Sequence, residues 1–334
     1  MKQQSSILPI VAAFAAIYVV WGSTYLALAF ALQSFPPFLL MAARCLVGGA
    51  VLYGSARAMG DAAPSGGTLP LAAVCGMLFF VGCHGVLAYV QERVPSGLAA
   101  VLLATIPLWI ALLQFVMPGG ERPDGKGALL LVPGVAGVAL IAWHGDAAGG
   151  QPLSLRDTLL LLGASFSWAA ATFISVRHTP KGASIGLSGL ELLIGGVVLL
   201  AISVYRGELS DHRLAVPSAV SIAGWAYLTI AGTVAAFAAY VWLLERVSPT
   251  LVATYTFVNP VIAVLLGFAL LGEEPTRWML IGTALIVVSI AGVLHGQHKQ
   301  KEERGASKEQ SAVLESSNKV MHRADGAPKS GLVS

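Results

Sequence analysis

Three ionisable side chains stand inside long apolar stretches of this sequence. Arg44 and Glu191 lie well inside their stretches, and His84 lies between Gly82 and Gly85. An arginine or a carboxylate placed centrally in a membrane helix costs about 2.5–3.5 kcal/mol, so such a residue needs a partner or water. The chemistry open to them is proton uptake and release by Glu191, and attraction of an anionic substrate group, or tuning of that carboxylate, by Arg44.

Each of these residues also has a structural interpretation. Arg44 and Glu191 are 147 residues apart, at equivalent positions of a repeated chain, and they can satisfy each other or backbone carbonyls, while Arg44 can extend toward the interface. His84 can relay protons, since free imidazole titrates near neutral pH, or it can hydrogen-bond a neighbouring helix. No second histidine or carboxylate lies at ligand spacing from it, so no metal site is expected.

Polar and aromatic side chains share single faces of three apolar stretches. Residues three and four positions apart are neighbours on a helix, so each group points the same way. Such faces favour the wall of a cavity, and the alternative is ordinary aromatic packing. The faces consist of Trp21, Thr24 and Tyr25, of Trp168 and Thr172, and of Tyr255, Thr256 and Asn259.

Two prolines occupy matching positions within apolar stretches. Pro107 and Pro260 are 153 residues apart, and each removes one backbone hydrogen bond from a helix. Unwound backbone is tolerated at membrane depth only around a cavity, so paired helix breaks indicate a central binding site. The alternative is that both prolines are fixed kinks.

Composition places these stretches in a membrane. Of 334 residues, 56% are hydrophobic and 11% charged, with a mean hydropathy of +0.76, whereas a soluble domain carries about 25% charged residues. A helix needs roughly 20 apolar residues to cross the hydrocarbon core. Ten segments meet that requirement, near residues 7–32, 36–57, 69–91, 95–117, 126–143, 155–176, 184–205, 217–243, 249–271 and 275–294.

Internal repetition predicts how these helices are arranged. Glu92-Arg93-Val94 recurs 153 residues later, Gly48-Gly49 recurs after 147 and His144-Gly145 after 151, a drift expected from loop insertions between duplicated halves. An odd helix count per copy turns the second copy upside down. We therefore predict an all-α integral membrane fold of ten transmembrane helices, arranged as two inverted five-helix repeats at residues 7–143 and 155–295.

Lysine and arginine in the loops indicate orientation, because basic loops remain cytoplasmic. With the N-terminus inside, that side holds ten such residues and the opposite side five. Both termini are therefore predicted to be cytoplasmic. Residues 299–334 are rich in Lys, Glu, Ser and Gly without an apolar period, which predicts a disordered cytoplasmic tail, solvated or in contact with anionic lipid or a partner.

Several function classes lack their characteristic residues. There is no Gly-Lys-Ser/Thr phosphate loop, so any energy must come from an ion or substrate gradient. No paired carboxylates, Gly-x-Ser-x-Gly or His-Glu-x-x-His support an intramembrane enzyme. No cofactor and no nucleic-acid partner are expected, because function must lie within the membrane bundle. Small residues of the fifth and tenth helices, Gly134 and Gly282 among them, predict a scaffold or a homodimer contact.

Several motifs of the chain resemble the EamA branch of the drug/metabolite transporter superfamily. The resemblance extends over about residues 7–295, and the paired repeats make it more specific than any single motif. The residues that carry it are 21–25 (WGSTY), Pro36-Pro37, Arg44, Asn259-Pro260 and 271–275 (LGEEP). A shorter version of the last motif occurs at 119–121 (GGE).

The resemblance implies an inner-membrane exporter of small metabolites, amino acids or drugs, built from ten helices in inverted repeats. It also implies a cavity formed mainly by the first, third, fourth, sixth, eighth and ninth helices. Glu273 is interpreted as a helix-end structural residue rather than a ligand. The wall residues that the resemblance suggests are Trp21, Thr24, His84, Tyr89, Trp168, Tyr240, Tyr255 and Asn259.

Together these observations predict a secondary transporter that works by alternating access, with proton exchange as its driver. Export is implied by the resemblance alone, and import or exchange of a small metabolite remains the alternative, ahead of an intramembrane enzyme or a receptor without transport. An aromatic cavity with few charges suits a neutral or zwitterionic small molecule better than a phosphorylated one, and it also suits drugs. Residues 169–171 (AAA) replace 22–24 (GST) in the second half, which predicts binding biased toward one half.

Overall fold

In the computed structural model, the described part of the chain forms a bundle of helices without strands. It comprises residues 7–61, 67–117, 129, 131–144, 153–179, 184–244, 246–247, 252 and 255–292, and the predicted tail at 299–334 lies outside it. Within these residues, seven helices are long and apolar enough to cross a membrane, and three shorter apolar helices accompany them. The predicted all-α membrane fold is confirmed.

The helices are numbered in chain order. The second helix can begin at Pro37 because the N–H group that proline lacks would have no partner within the first turn of a helix. The first half contains α1 (Ile7–Leu32), α2 (Pro37–Ala58), α3 (Leu69–Gln91), α4 (Ser96–Leu103 and Ile106–Val116) and α5 (Leu131–His144). The second half contains α6 (Leu155–His178), α7 (Ser184–Tyr205), α8 (Ala219–Tyr227, Leu228–Ala235 and Ala236–Leu244), α9 (Tyr255–Leu266 and Gly267–Leu271) and α10 (Arg277–Gly292).

Helices α3 and α8 each change to π-helical geometry midway along their length. The π segments are Met77–Gly85 in α3 and Leu228–Ala235 in α8. Their first residues are 151 positions apart, which is one of the shifts that relates the two halves. Since π segments are rare and occur mostly at functional sites, this matched pair marks the middle of the bundle.

The packing of the helices repeats the sequence duplication. Helix α1 packs against α8 and α9, and α6 packs in the same way against α3 and α4. Helix α2 contacts the π segment of α8, while α7 contacts that of α3. The extensive α2–α7 contact joins equivalent helices of the two halves. The halves are therefore related by a pseudo-two-fold axis that passes between α2 and α7.

Glycines allow this central packing to be close. A Cβ atom on Gly48 would lie 2.8 Å from Cγ2 of Thr233 in α8, and one on its equivalent Gly195 would lie 2.7 Å from Cβ of Phe80 in α3. At Gly189 of α7 a Cβ would lie 2.5 Å from the backbone nitrogen of Tyr53. Small residues let membrane helices approach until their backbones touch, and the two halves use them where they meet.

Helices α5 and α10 pack against each other away from the centre. A Cβ atom on Gly137 would lie 2.6 Å from the carbonyl oxygen of Gly282, and the ring of His144 stacks on Trp278 at 4.4 Å. The small residues that predicted a scaffold or a homodimer contact therefore serve a contact within one chain.

A matched pair of glycine substitutions tests the α2–α7 contact. We expect Gly189→Ala to lower the melting temperature of the purified protein by several degrees, because forcing a methyl group against the Tyr53 backbone costs about 1–3 kcal/mol. The control is Gly54→Ala in α2, where nothing lies within 4 Å of the added Cβ. That change should stabilise the helix by about 0.5–1 kcal/mol. Equal melting temperatures for the two variants would contradict this account of the packing.

Candidate functional site

A cavity of about 90 Å³ lies at the centre of the bundle, between the two halves. Its lining comes from α1, α2, α3, α4, α6, α7, α8 and α9. The six helices that the resemblance implied are all included, and α2 and α7 add Arg44 and Leu192. The sequence-predicted residues that line the cavity are Trp21, Thr24, Tyr25, Arg44, His84, Trp168, Tyr255 and Asn259.

The other sequence-predicted residues lie outside the lining. Tyr240 stands behind the wall, where its ring contacts Trp21 at 5.2 Å and Tyr255 at 6.2 Å between centroids. Tyr89 lies near one end of the bundle and Glu191 lies behind Leu192. Because a helix turns about 100° per residue, the neighbour of a lining residue faces a different direction.

Two aromatic groups contribute to the cavity walls. Trp21 packs edge-on against Tyr255, with centroids 4.8 Å apart. Trp168, the equivalent of Trp21, packs edge-on against Phe79 at 4.7 Å and against His84 at 5.2 Å. Each tryptophan thus contacts the third or fourth helix of the opposite half, and substrate between the walls would touch both halves.

The π segment of α8 holds two cavity residues of the first half. The indole N–H of Trp21 donates to the carbonyl oxygen of Gly232 at 3.0 Å. The hydroxyl of Thr233 donates to the carbonyl of Leu228 at 2.9 Å, so its lone pair is free to accept from Nε of Arg44 at 2.7 Å. Irregular backbone therefore orients the main polar groups of the wall, which no helical periodicity in the sequence could indicate.

Arg44 is a buried cation without an acidic partner. Its exposed fraction is 8%, and no carboxylate of the described residues lies within 4 Å of it. Its Nε donates to the Thr233 hydroxyl, and among the described residues its only other hydrogen-bonding contact is a weak one from Nη1 to Sδ of Met41 at 3.9 Å. Several guanidinium N–H groups thus remain for whatever enters the cavity.

Arg44 and Glu191 do not pair with each other. The carboxyl group of Glu191 lies beside the thiol of Cys75 instead, and only 2% of the residue is exposed. The backbone at Glu191 lies so close to α3 that a Cβ on Gly76 would stand 2.5 Å from the Glu191 carbonyl oxygen. A buried carboxyl group with no cation paired to it among the described residues therefore lies where α7 meets the start of the α3 π segment.

His84 lines the cavity from the α3 π segment. Its Nδ1 lies 3.0 Å from the carbonyl oxygen of Phe79. A carbonyl oxygen can only accept, so Nδ1 carries the proton and Nε2 is left as an acceptor. The π segments also bring in Phe80, Cys83 and Thr233, which sequence analysis missed. The available signal was a pair of glycines 150 residues apart, Gly82 and Gly232.

Asn259 lines the cavity and has an unused acceptor. The residue is 8% exposed, and its Oδ1 atom is buried without a hydrogen-bond partner among the described residues. Leaving such an atom unpaired costs about 1–3 kcal/mol, so an unpaired buried oxygen is expected to serve a ligand or water.

The two prolines occupy different settings. Pro107 follows an interruption of α4 at residues 104–105, where Thr105 and Ser165 are paired through their hydroxyl oxygens at 2.9 Å. Pro260 lies inside the continuous helix Tyr255–Leu266, so the second predicted break is not present there. The freed backbone group at a proline can be accommodated by neighbouring helices, which leaves the helical path intact.

One end of the bundle carries a network of charged side chains. We call it the Arg93 end, where α3 ends and α4 begins. Arg93 forms a bidentate ion pair with Asp157 of α6, with Nε and Nη2 at 3.0 and 2.5 Å from Oδ1. These bonds raise the pKa of Arg93 above its usual range.

Tyr89 belongs to this network. The guanidinium of Arg93 lies over its ring at 4.4 Å and that of Arg206 at 5.1 Å, Phe38 stacks on it at 5.8 Å, and Arg156 donates to its hydroxyl at 3.3 Å. This predicted wall residue therefore lies in a closing layer between the cavity and the Arg93 end.

The segment 206–218 between α7 and α8 completes the closure. Arg213 donates to Asp211 at 2.8 Å and to Glu92, which directly follows α3, at 3.1 Å. Glu208 accepts from the first-turn N–H of Leu39 in α2 at 2.8 Å, as Glu273 does from Ser96 in α4 at 2.6 Å. Hydrogen bonds from the side chain and then the backbone N–H of Arg213 lower the pKa of Asp211 to about 2, so Asp211 stays charged near neutral pH.

Comparison with known proteins identifies the family. The EamA-like transporter family matches residues 8–143 and again residues 156–295. The chain belongs to the EamA-like transporter family. Two copies of the family unit therefore follow each other in one chain, and the protein is a transporter of small molecules rather than an enzyme.

Relatives within and near this family support the assignment. The chain is 33% identical over 286 residues to "Uncharacterized inner membrane transporter YedA" of Escherichia coli (strain K12), covering 84% of this chain and 90% of the relative. It is 25% identical over 276 residues to "Probable terminal-alkyne amino-acid exporter" of Streptantibioticus cattleyicolor, covering 83% and 89%. A solved structure titled "Crystal structure of protein" shares the fold, with a TM-score of 0.58, 22% identity and coverage of 84% and 94%.

Breaking the Arg93–Asp157 ion pair should open the Arg93 end of this EamA-like protein. Cys83 lines the cavity and is 1% exposed, so its thiol reports access once Cys45 and Cys75 are replaced by alanine. We expect Asp157→Asn to accelerate labelling of Cys83 severalfold when a membrane-impermeant maleimide is added from the Arg93 end, since a charge-assisted bidentate contact is lost. The control is Glu274→Gln, an exposed carboxylate at the same end. Identical labelling rates for the two variants would show that the ion pair does not hold this end closed.

Proposed function

We propose that this protein exports a small neutral or zwitterionic metabolite across the inner membrane by alternating access, driven by protons, with both termini in the cytoplasm. The observation that carries the proposal is the cavity between two symmetrically packed halves, lined by both tryptophans and closed at the Arg93 end. Similarity to an inner-membrane transporter supports the inner membrane as the location. Similarity to a probable terminal-alkyne amino-acid exporter supports export as the direction of transport.

Symmetric packing supports alternating access. In an inverted repeat, exchanging the conformations of the two halves converts a cavity open to one side into a cavity open to the other. The contacts of α1 with α8 and α9 and those of α6 with α3 and α4 are the pairs that would exchange. The cavity is smaller than the 300–1,000 Å³ typical of ligand pockets, so admitting a substrate requires these pairs to separate.

The acidic partner of Arg93 has no counterpart at the matching positions of the other half. The equivalent of Arg93 is Arg246, but the shifts of 147 to 153 place the equivalent of Asp157 within residues 4–10, where there is no carboxylate. The ion pair of Arg93 with Asp157 stabilises closure at the Arg93 end. By population shift, the state open to the opposite, predicted cytoplasmic side is favoured when no substrate is bound, as an exporter that collects its cargo inside the cell requires.

Export is tested by profiling the culture medium of bacterial cells that overproduce the protein. We expect at least one small neutral or zwitterionic metabolite to accumulate outside the cells, compared with cells that produce Trp21→Ala. That variant removes a cavity wall and the hydrogen bond to Gly232, so export should fall about tenfold or more. Depletion of a metabolite from the medium would instead reveal an importer, and an unchanged medium would contradict the proposal.

Glu191 is the proposed site of proton coupling. Its carboxyl group is buried beside the thiol of Cys75 and lies on the contact between α7 and α3, a contact of the kind that alternating access must rearrange. Protonation neutralises the group and deprotonation leaves a buried charge, so the two protonation states favour different packings of α7. His84 is a second protonatable group, on the cavity wall itself.

Proton coupling is tested in proteoliposomes loaded with a mixture of the proteinogenic amino acids. For wild type we expect an acidic exterior to increase efflux severalfold over a symmetrical buffer. Glu191→Gln should keep downhill efflux but lose this stimulation, because glutamine cannot exchange a proton. Glu274→Gln, on an exposed loop, should behave as wild type. Full stimulation in Glu191→Gln, together with its loss in His84→Gln, would move the coupling site to His84.

A further inference from the structure

We propose that Arg44 and Asn259 form a two-point subsite that binds the carboxylate and the ammonium group of one substrate molecule. The transported class would then be small zwitterions that carry both groups close together, with an apolar remainder. This inference rests on the proposed function and extends it, since it assigns a chemical class and two specificity-determining residues to the cavity.

The charge balance of the cavity favours a ligand with a carboxylate. Arg44 is buried, and the described lining residues include neither aspartate nor glutamate. A cationic ligand would add a second positive charge to a site that already holds an uncompensated one. A ligand carboxylate instead supplies the missing counter-ion, and planar guanidinium groups bind carboxylates through two parallel hydrogen bonds.

The hydrogen bonds of Arg44 prepare it for this role. Nε of Arg44 donates to the Thr233 hydroxyl at 2.7 Å, and that hydroxyl donates its own proton to the carbonyl oxygen of Leu228. The guanidinium plane is therefore fixed by the α8 π segment, while within the described part of the chain the terminal N–H groups have only the weak contact with Met41. A fixed guanidinium with unused donors loses little side-chain freedom when it binds an anion.

Asn259 supplies the complementary contact. Its buried Oδ1 has no partner among the described residues and can only accept, so it suits an ammonium or amine N–H. The aromatic rings of Trp21 and Tyr255 lie on the same side of the cavity and can stabilise a cation over their faces.

The two residues line one cavity. Arg44 and Asn259 both belong to its wall, on α2 and α9. A donor-rich group and an acceptor without a partner in one cavity match the two ends of a zwitterion. A phosphorylated compound would meet a single cation, which is few for a doubly charged group.

The experiment measures binding to the purified protein by thermal stabilisation, with each proteinogenic L-amino acid and its primary amide as probes. The amide keeps the ammonium group and the side chain but lacks the carboxylate. For at least one pair we expect wild type to bind the acid about tenfold more tightly than the amide. Arg44→Gln should abolish that preference by weakening the acid and not the amide, and Arg44→Lys should retain part of it, since a point charge replaces a bidentate fork.

Asn259→Leu probes the second contact. It should weaken binding of the preferred amino acid while leaving its des-amino analogue unaffected. Its melting temperature should be no lower than that of wild type, because the substitution removes an unpaired buried oxygen. A purely structural role for Asn259 would instead lower the melting temperature and leave the discrimination between the two ligands unchanged.

The outcomes separate this inference from the proposed function. The subsite would be overturned if wild type bound no amino acid more tightly than its amide. It would also be overturned if Arg44→Gln weakened the binding of acid and amide equally. Export of a metabolite without a carboxylate would also overturn it while leaving the exporter in place. Acid selectivity in the purified protein without any export from cells would support the subsite and contradict the exporter.

Discussion

Every backbone N–H and C=O group within the hydrocarbon core must find a partner inside the protein, because no water is available there. Regular helices satisfy this requirement along most of the described chain. The mid-helix departures are the π segments Met77–Gly85 and Leu228–Ala235 and the interruption at 104–105. All three border the central cavity, and side chains such as Ser167, which donates to the carbonyl of Leu78 at 2.8 Å, take part in satisfying the irregular backbone.

The same requirement makes the polar groups of the cavity informative. Trp21, Thr24 and Thr233 each donate to a backbone carbonyl, so their polar atoms contribute to stability. Arg44 keeps unused donors and Asn259 an unused acceptor. Groups that cost folding energy and face a shared cavity are best explained by a ligand that pairs with them.

Symmetry and its violations divide the molecule into two kinds of residue. The diglycines at 48–49 and 195–196, the two tryptophans and the two π segments recur in both halves and form the contacts between them. Asp157, Glu191 and Arg44 have no residue of the same charge at the matching positions of the other half. Repeated parts supply a fold with two equivalent arrangements, and unrepeated parts give those arrangements different energies.

The sequence by itself determined the membrane class, the positions of the helices and the duplication, because an apolar stretch of fixed length and a recurring motif depend only on local chain chemistry. It also placed Trp21, Trp168 and Asn259 on one-sided faces that line the cavity. Only the tertiary structure decided that Arg44 bonds Thr233 and not Glu191, that Tyr89 belongs to the Arg93 end, and that α3 and α8 carry π segments while Pro260 stays helical. These outcomes depend on which distant atoms pair with each polar group once the helices pack, and helical periodicity carries no information about distant partners.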